Sequence, residues 1–486
     1  MNNRRGLAQR PGTGHASAVV VRFIAYMLLL LAGACGGRSS SLQTLEKLYQ
    51  RDFERAKGRT STIIFVPGIM GSELHDTRDG HVVWGTFWNG GAWEDTLRDF
   101  ALPFAVDQPV GEIRDSIEPG GELLVVHLDV AGREIAARGY PGLFEGLIQS
   151  LAEHGAHHTP DAIGIEDVEA GRDPIIGFGY DWRRDIASEA QRLHELVEVA
   201  SQERFRRTGN PRVDIVAHSM GTLLVRWYLQ YGTSPVPEDG SLPELTWAGV
   251  EYVERVLLVG APNLGEASVL EILHHGAQAH HMLPTYPPAV VATFPSGFEL
   301  LPRPWDRRVV WSDDGEPVDL YDVALWEKLR WGPFREDQDE ALQTLMPQAK
   351  TRSERLAIMR KHMAAMLAHA HGFHRALDRP AHPPEGLRIH AFVGDAHGTR
   401  AVLSVDRATG EMEWIRTEPG DGTTTRTSAL GQPSSDPKAS PTLIADSVHF
   451  IEAEHLPMVG DRRFLDQAMY LLLEAPDPPA RESREP

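Results

Sequence analysis

The sequence has very little cysteine: Cys35 is the only one in 486 residues, so no disulfide can form within the chain. Positive charge is also scarce: the chain has 48 lysines and arginines and 68 aspartates and glutamates, which gives a formal net charge of -20. A surface this acidic repels phosphate backbones, so nucleic acid is not an expected partner. For the same reason, any contact with a lipid surface must be apolar.

Long hydrophobic runs are scarce too. The apolar run over residues 23–34 is too short for a typical transmembrane helix, and it follows arginines without any acidic residue. This pattern predicts a signal peptide over residues 1–34. The small residues before Cys35 resemble a bacterial lipoprotein signal, in which that cysteine carries the lipid; a plain secretory signal is the alternative. We therefore expect an exported protein, either a cell-envelope lipoprotein or a secreted one.

The rest of the chain divides into a linker (residues 35–60), one large domain (residues 61–474) and a disordered tail (residues 475–486) rich in Pro and Glu. Within the domain, an amphipathic helix is predicted over residues 186–205. Short apolar runs predict buried strands at residues 62–66, 175–178, 213–216, 256–259 and 387–393. Strand, helix, strand in this order predicts an α/β fold whose mostly parallel sheet has helices on both faces.

Two stretches, residues 75–172 and 264–385, do not follow this alternation, and we interpret both as cap insertions that shape a substrate pocket. The first contains a group of tryptophans, which either form a patch at a membrane interface or pack inside the cap. These are Trp84, Trp88 and Trp93.

The second cap contains a candidate lid at residues 266–300, which includes the apolar side chains Leu270, Leu273, Met282 and Leu283. It also contains eight histidines. None has the spacing of a recognisable metal site, so we interpret them as residues of the cap surface and expect no metal. They are His274, His275, His280, His281, His362, His369, His371 and His374.

Ser219 is the strongest candidate for a catalytic residue. It lies in the sequence AHSMG, residues 217–221, between a predicted strand and a helix predicted over residues 222–231. A serine in such a tight turn exposes its hydroxyl at the edge of the sheet, and the small residues on either side let the turn approach its neighbours. This context predicts an α/β-hydrolase fold with Ser219 as nucleophile; a serine that only packs in the turn is the alternative.

A serine nucleophile of this kind needs two backbone amides to hold the oxyanion that forms during the reaction. The first belongs to the residue after the nucleophile, here Met220. The second comes from a loop after an early strand, and the glycine-containing loop at residues 66–71 fits this description. Ile69 is the best candidate donor in that loop.

Six elements of the sequence resemble, in the same order, those of the lecithin–cholesterol acyltransferase family, which includes lysosomal phospholipase A2. They are FVPGIMGSEL at 65–74, YDWR at 180–183, AHSMG at 217–221, GAP at 260–262, GDGT at 420–423 and HLPMV at 455–459. The sequence departs from the family in lacking the disulfide cysteines of the animal enzymes. It also has Thr424 where the family usually has Val.

A serine nucleophile also needs an acid and a histidine, which follow the serine in that order in this fold. The residues alone favour Asp395 as the acid because it comes soon after a predicted strand, whereas the resemblance favours Asp421. For the base, the resemblance implies His455. His449 is close by in the sequence but lies in an apparent strand.

The YDWR element follows a predicted strand and has two interpretations. Trp182 either lines an acyl pocket or packs in the core, and Arg183 in the second case forms a structural ion pair.

The resemblance implies an O-acyltransferase or acyl hydrolase that acts on a phospholipid or another acyl ester through a covalent intermediate on Ser219. The acceptor is a hydroxyl compound or water; a phospholipase A or lipase that uses only water is the alternative. No cofactor is expected. Association with a membrane is expected through the lipid anchor and an apolar cap.

Overall fold

The protein is described from a computed structural model, which covers residues 62–87, 93–122, 125–130, 133–138, 175–277, 285–433, 436 and 438–474. The predicted signal peptide, linker and tail lie outside these residues, as does much of the first predicted cap. Within the described part of the chain, the helices are too short or too polar to cross a membrane.

The predicted strands lie side by side in one six-stranded sheet, whose neighbouring strands are all parallel. Numbered along the chain, its strands are, in order across the sheet, β15 (Ser447–Ile451), β12 (Arg388–Gly394), β10 (Val253–Val259), β9 (Val213–His218), β1 (Ile63–Val66) and β8 (Ile175–Gly177). Every residue of β1, β9 and β10 is buried, so both faces of the sheet are covered. The predicted α/β fold is confirmed.

The two helices beside the nucleophile strand are those predicted. Helix α2 (Ile186–Thr208) begins at Asp185, whose carboxylate accepts hydrogen bonds from two backbone amides, and ends at Gly209, with a φ of 73°. Helix α3 (Met220–Tyr231) is buried at every position. It begins two residues earlier than predicted, because the turn at Ser219 takes only one residue.

Among the described residues, three small sheets of three strands lie outside the main sheet. Their strands are β2 (Ser72–Asp76) with β3 (Val82–Trp84) and β5 (Ile117–Glu122); β4 (Thr86–Phe87) with β6 (Val125–Val130) and β7 (Arg133–Arg138); and β11 (Val309–Trp311) with β13 (His397–Val405) and β14 (Met412–Gly420). The antiparallel pair β13–β14 is the hairpin that precedes the predicted acid loop.

The remaining elements of the described residues are helical and, short 3₁₀ turns aside, most of them lie within residues 264–385. They are α1 (Trp93–Phe100), α4 (Ser268–His275), α5 (Pro288–Val291), α6 (Pro295–Glu299), α7 (Val323–Lys328), α8 (Asp339–Leu345), α9 (Arg352–Leu377), α10 (Arg426–Ala429), α11 (Arg462–Met469) and a π-helical segment, Tyr470–Glu474. In the candidate lid, Leu270 and Leu273 of α4 are buried. Met282 and Leu283 lie outside the described residues.

The long helix α9 corrects the interpretation of the histidines as surface residues. His362 and His374 are almost fully buried, and the His369 side chain is only 7% exposed. Each has a defined partner: the carbonyl oxygens of Ala292 and Glu299 lie 2.9 and 2.6 Å from Nε2 of His362 and His374. The interpretation was wrong for these three because this face of α9 packs against the core. His280 and His281 lie outside the described residues.

Trp84 belongs to the core rather than to an exposed patch. It is 3% exposed and contacts the rings of Phe100, Trp182 and Tyr286. The structure therefore favours the packing interpretation for this tryptophan. Trp88 and the side chain of Trp93 lie outside the described part.

Candidate active site

The predicted site residues meet at the carboxyl edge of the parallel sheet. Ser219 follows β9 directly. His455 comes four residues after β15, and Asp421 follows the hairpin that returns the chain from β12 to this edge. Three segments far apart in the sequence thus converge.

The backbone at Ser219 has the strained geometry of a strand-to-helix elbow. Its φ is 53° and its ψ is -128°, a conformation that a residue with a side chain rarely adopts. The amide of Ser219 donates a hydrogen bond of 2.9 Å to the carbonyl of Val259 in the neighbouring strand β10. This contact extends the sheet ladder up to the serine, and helix α3 begins with the next residue.

Ser219, His455 and Asp421 form a continuous hydrogen-bonded line. Nε2 of His455 lies 2.8 Å from Oγ of Ser219, and Nδ1 of the same ring lies 2.8 Å from Oδ2 of Asp421. The carboxylate is 1% exposed, whereas the imidazole keeps 15% of its surface in contact with solvent. In this arrangement one ring nitrogen can accept the serine proton while the other donates to the carboxylate.

Among the described residues, neither rival residue takes part in this hydrogen-bonded line. Within the described part of the chain, Asp395 makes no hydrogen bond to His455. Nε2 of His449 lies 2.7 Å from the hydroxyl of Ser447 on its own strand. The structure thus brings Asp421, rather than Asp395, to the histidine.

The acid loop holds Asp421 from several sides. Its Oδ1 accepts hydrogen bonds from the amides of Thr423 (2.9 Å) and Thr424 (2.6 Å), which leaves Oδ2 for the histidine. The amide of Gly422 donates to the hydroxyl of Thr399 at 2.9 Å. Gly394, at the end of β12, packs so closely on Asp421 that a side chain there would have no room.

The imidazole of His455 lies against Gly260, the first residue of the GAP element. A Cβ on Gly260 would stand 3.1 Å from both Cε1 and Nδ1 of the ring, tighter than most real contacts. The amide of His455 donates to the carbonyl of Asp421 at 2.9 Å. Both contacts orient the ring toward the serine.

The loop after β1 lies against the elbow, where the oxyanion donors were predicted. The amide of Gly71 donates to the carbonyl of Gly68 at 3.1 Å, and Met70 has a φ of 63°, as in a type II turn. Within the described residues, the amides of Ile69 and Met220 donate to no other protein group. Both are therefore available to a ligand, and their role stays a prediction.

The YDWR element supports this loop rather than lining a pocket. The hydroxyl of Tyr180 donates to the carbonyl of Pro67 at 2.9 Å. Trp182 is 1% exposed. The fully buried guanidinium of Arg183 lies 2.7 Å from Asp181 and 3.0 Å from Asp115. The structural interpretation of this element is confirmed.

Glu266 is a buried carboxyl near the site that the sequence did not single out. Burial raises its pKa well above the usual range, and the negative charge of Asp421 acts in the same direction. Both effects favour the neutral form of this carboxyl group. In the sequence, only its position soon after the GAP element indicates that Glu266 lies near the site.

Two groups of potential metal ligands occur among the described residues: Asp76, Asp79 and His81, and Asp185, Glu299 and His369. In the first, Asp79 is exposed and Asp76 is paired with Arg78.

The second group is buried and internally paired. Nε2 of His369 lies 2.7 Å from Asp185 and 3.4 Å from Glu299. Burial alone would lower the pKa of His369, but the charges and hydrogen bonds of Asp185 and Glu299 together outweigh it and raise the pKa to about 10. Burial and the charge of Asp185 both raise the pKa of Glu299. An ion pair between a protonated His369 and Asp185 therefore accounts for this cluster.

Comparison with known proteins gives one family and several related structures. The lecithin:cholesterol acyltransferase family matches residues 162–341, which contain the YDWR, AHSMG and GAP elements. No curated protein sequence matches significantly. A structure described as the Tle4–Tli4 complex aligns over 85% of this chain and 98% of its own, at 16% identity and a TM-score of 0.51.

Two further structures align with TM-scores of 0.28. Lipase 1 from Pelosinus fermentans has 13% identity over 86% of this chain and 99% of its own. EstA from Clostridium botulinum has 11% identity over 79% of this chain and 98% of its own. The parallel sheet, the elbow and the likeness to the Tle4–Tli4 structure identify the α/β-hydrolase fold, as predicted.

Proposed function

Because the chain belongs to the lecithin:cholesterol acyltransferase family, we propose that it is a serine-dependent O-acyltransferase or acyl hydrolase of glycerolipid esters. The family and the fold support a lipid acyl-ester hydrolase or acyltransferase as the class of enzyme. One observation supports the assignment of residues: the hydrogen-bonded line from Ser219 through His455 to Asp421.

In the first step, Oγ of Ser219 attacks the ester carbonyl and transfers its proton to Nε2 of His455. Asp421 accepts the hydrogen bond from Nδ1 and stabilises the imidazolium that forms. The tetrahedral intermediate then collapses, the ester bond breaks, and His455 returns the proton to the leaving alkoxide. The products are a released alcohol and an acyl chain esterified to Ser219.

In the second step, the acyl chain leaves the enzyme. An acceptor hydroxyl or a water molecule attacks the acyl-enzyme and gives its proton to His455, which passes it on to Oγ of Ser219 as the ester breaks. The product is a new ester in the first case and a free fatty acid in the second. Transfer to the hydroxyl compound predominates if the closed site binds that compound and excludes water; otherwise hydrolysis predominates.

The oxyanion of both intermediates is assigned to the amides of Ile69 and Met220. Two observations support this assignment: both amides are free of protein partners among the described residues, and the loop of Ile69 packs against the elbow of Met220. The partial positive charge at the beginning of helix α3 acts in the same direction.

Covalent labelling tests the nucleophile. A fluorophosphonate probe should label the full-length protein, and labelling should disappear in Ser219→Ala. Ser312→Ala, which removes an exposed serine hydroxyl, is the matched control and should label normally. A wild-type protein that does not label would contradict the proposal.

The acceptor is tested with a phospholipid that carries a radiolabelled acyl chain, incubated with and without an alcohol. An acyltransferase should form a labelled ester only when the alcohol is present. A phospholipase or lipase should release labelled fatty acid in both reactions and form no ester.

We also propose that the protein is exported and anchored through a lipid on Cys35. The signal-like residues 1–34 and the small residues before Cys35 support this proposal. Metabolic labelling with a radioactive fatty acid in a bacterial host should mark the wild-type protein and not Cys35→Ser. Equal labelling of both would contradict the anchor.

A further inference from the structure

His218, the residue before the nucleophile, places a second histidine in the site. It is 1% exposed, and the centre of its ring lies 4.8 Å from the centre of the His455 ring. Its Nε2 lies 3.1 Å from the backbone carbonyl oxygen of His455. The contact therefore joins a side chain of the nucleophile strand to the main chain of the proposed base.

The direction of this hydrogen bond follows from its partner. A carbonyl oxygen can only accept, so Nε2 of His218 must carry a proton. Burial, together with the nearby His455, lowers the pKa of His218 to about 3. At neutral pH the ring is therefore uncharged, and its one N–H group points at His455.

The main chain of His455 is thus held on both sides of its Cα atom. Its amide donates to the carbonyl of Asp421 at 2.9 Å, and its carbonyl accepts from His218. The backbone of His218 is fixed by pairing with Val259 in the sheet, whereas His455 lies in the segment between β15 and α11. The side chain of His218 links this segment to the strand that carries Ser219.

We propose that His218 is a positioning residue, which holds the main chain of His455 so that its Nε2 stays within hydrogen-bonding distance of Ser219. This inference rests on the proposed function of the three site residues. Without the donor, the partly buried carbonyl of His455 loses its partner and the segment can shift. A displacement of about 1 Å from reactive geometry can cost about 100-fold in rate.

The test compares variants at position 218 for kcat and KM on a chromogenic acyl ester, and for the rate of fluorophosphonate labelling. His218→Phe fills the space without a donor, and His218→Asn places its amide nearer the backbone. Both should lower kcat and the labelling rate by about 10- to 100-fold with KM little changed. His218→Gln can place an N–H group where Nε2 lies, and should recover at least part of the lost rate.

His362→Phe is the matched control, because it also removes a buried histidine that donates to a carbonyl, here at 2.9 Å. It should lower Tm without lowering kcat. If His218→Phe does not fold, the comparison of His218→Asn with His218→Gln serves the same purpose.

The inference is overturned if His218→Phe and His218→Asn label at the wild-type rate, or if Gln recovers nothing relative to Asn. These outcomes leave the proposed function intact, because the wild-type protein is still labelled at Ser219. Absence of labelling in the wild type would instead contradict the proposed function itself.

Discussion

The carbonyl oxygen of Pro67 lies so close to Gly221 that a Cβ on this glycine would stand well under 3.0 Å from it. The loop after β1 and the nucleophile elbow therefore touch through their backbones. This contact explains why a small residue is needed two positions after Ser219. It also fixes the distance between the two proposed oxyanion donors.

Replacing Gly221 with alanine should separate these two segments. We expect a loss of about 1–3 kcal/mol in the free energy of unfolding, because the added methyl group has no space. The rate at which the fluorophosphonate labels Ser219 should also fall, by more than the smaller fraction of folded protein would account for. Urea denaturation and labelling kinetics measure the two effects. Gly398→Ala, where nothing lies within 4 Å of the added methyl, should change neither; equal behaviour of the two variants would contradict the prediction.

The identity of the acid is tested by two asparagine substitutions. Asp421→Asn should lower kcat by about 10⁴-fold, since an amide at this position favours the wrong tautomer of His455. Asp395→Asn should keep near wild-type kcat, although the residues alone favoured this aspartate. Both are measured as ester hydrolysis at saturating substrate. The reverse order of effects would transfer the role to Asp395.

The choice between these two aspartates shows that local sequence alone does not identify the acid of the site. Asp395 comes directly after β12, and the rule that site residues follow strands points to it. The chain instead runs out through β13 and returns through β14 before it reaches the acid that contacts His455. The local sequence of a hairpin does not indicate where in the fold its second strand ends. For this reason only the resemblance favoured Asp421. The strands themselves were predictable, because they are short, apolar and buried on both faces.

The buried histidines of α9 follow a periodic pattern that the sequence already contains. His362 and His369 fall at helical spacing among buried apolar residues such as Met359, Met366 and Phe373. This periodicity places them on the packed face, whatever their polarity. Their partners come from distant segments, which periodicity alone cannot identify.

Burial rather than distance should decide the strength of the ion pairs. Arg183→Met removes a fully buried guanidinium that lies 2.7 Å from Asp181, and should cost about 3–5 kcal/mol because buried carboxylates lose a partner. Arg360→Ala removes an exposed pair with Glu327 that is 2.6 Å long, and should cost less than about 1 kcal/mol. Chemical denaturation of both variants measures the difference. Equal losses would contradict the prediction.

The cluster around His369 should make stability depend on pH. Because the pKa of His369 is raised from 6.5 to about 10, the folded protein binds this proton more tightly than the unfolded chain. The stabilisation is therefore complete below about pH 6.5 and is lost as the pH rises toward 10, by up to about 1.4 kcal/mol per pH unit.

His369→Gln cannot titrate, so its free energy of unfolding should fall less steeply than that of the wild type between pH 7 and 10. Urea denaturation at several pH values provides the slopes. His382→Gln, which changes an exposed histidine, should keep the wild-type slope. An unchanged slope in His369→Gln would contradict the role of this group.

Helix α9 is fastened to the helices beside the main sheet. Near its carboxyl end, the carbonyls of Ala376 and Leu377 accept hydrogen bonds of 2.7 and 2.8 Å from Tyr231 and Arg226 of α3. Further back, His369 is paired with Asp185 at the beginning of α2. Because α9 is bonded to these helices at two points along its length, we expect it to move together with the sheet as one rigid body. We therefore expect any hinge that admits an acyl chain to lie outside α9.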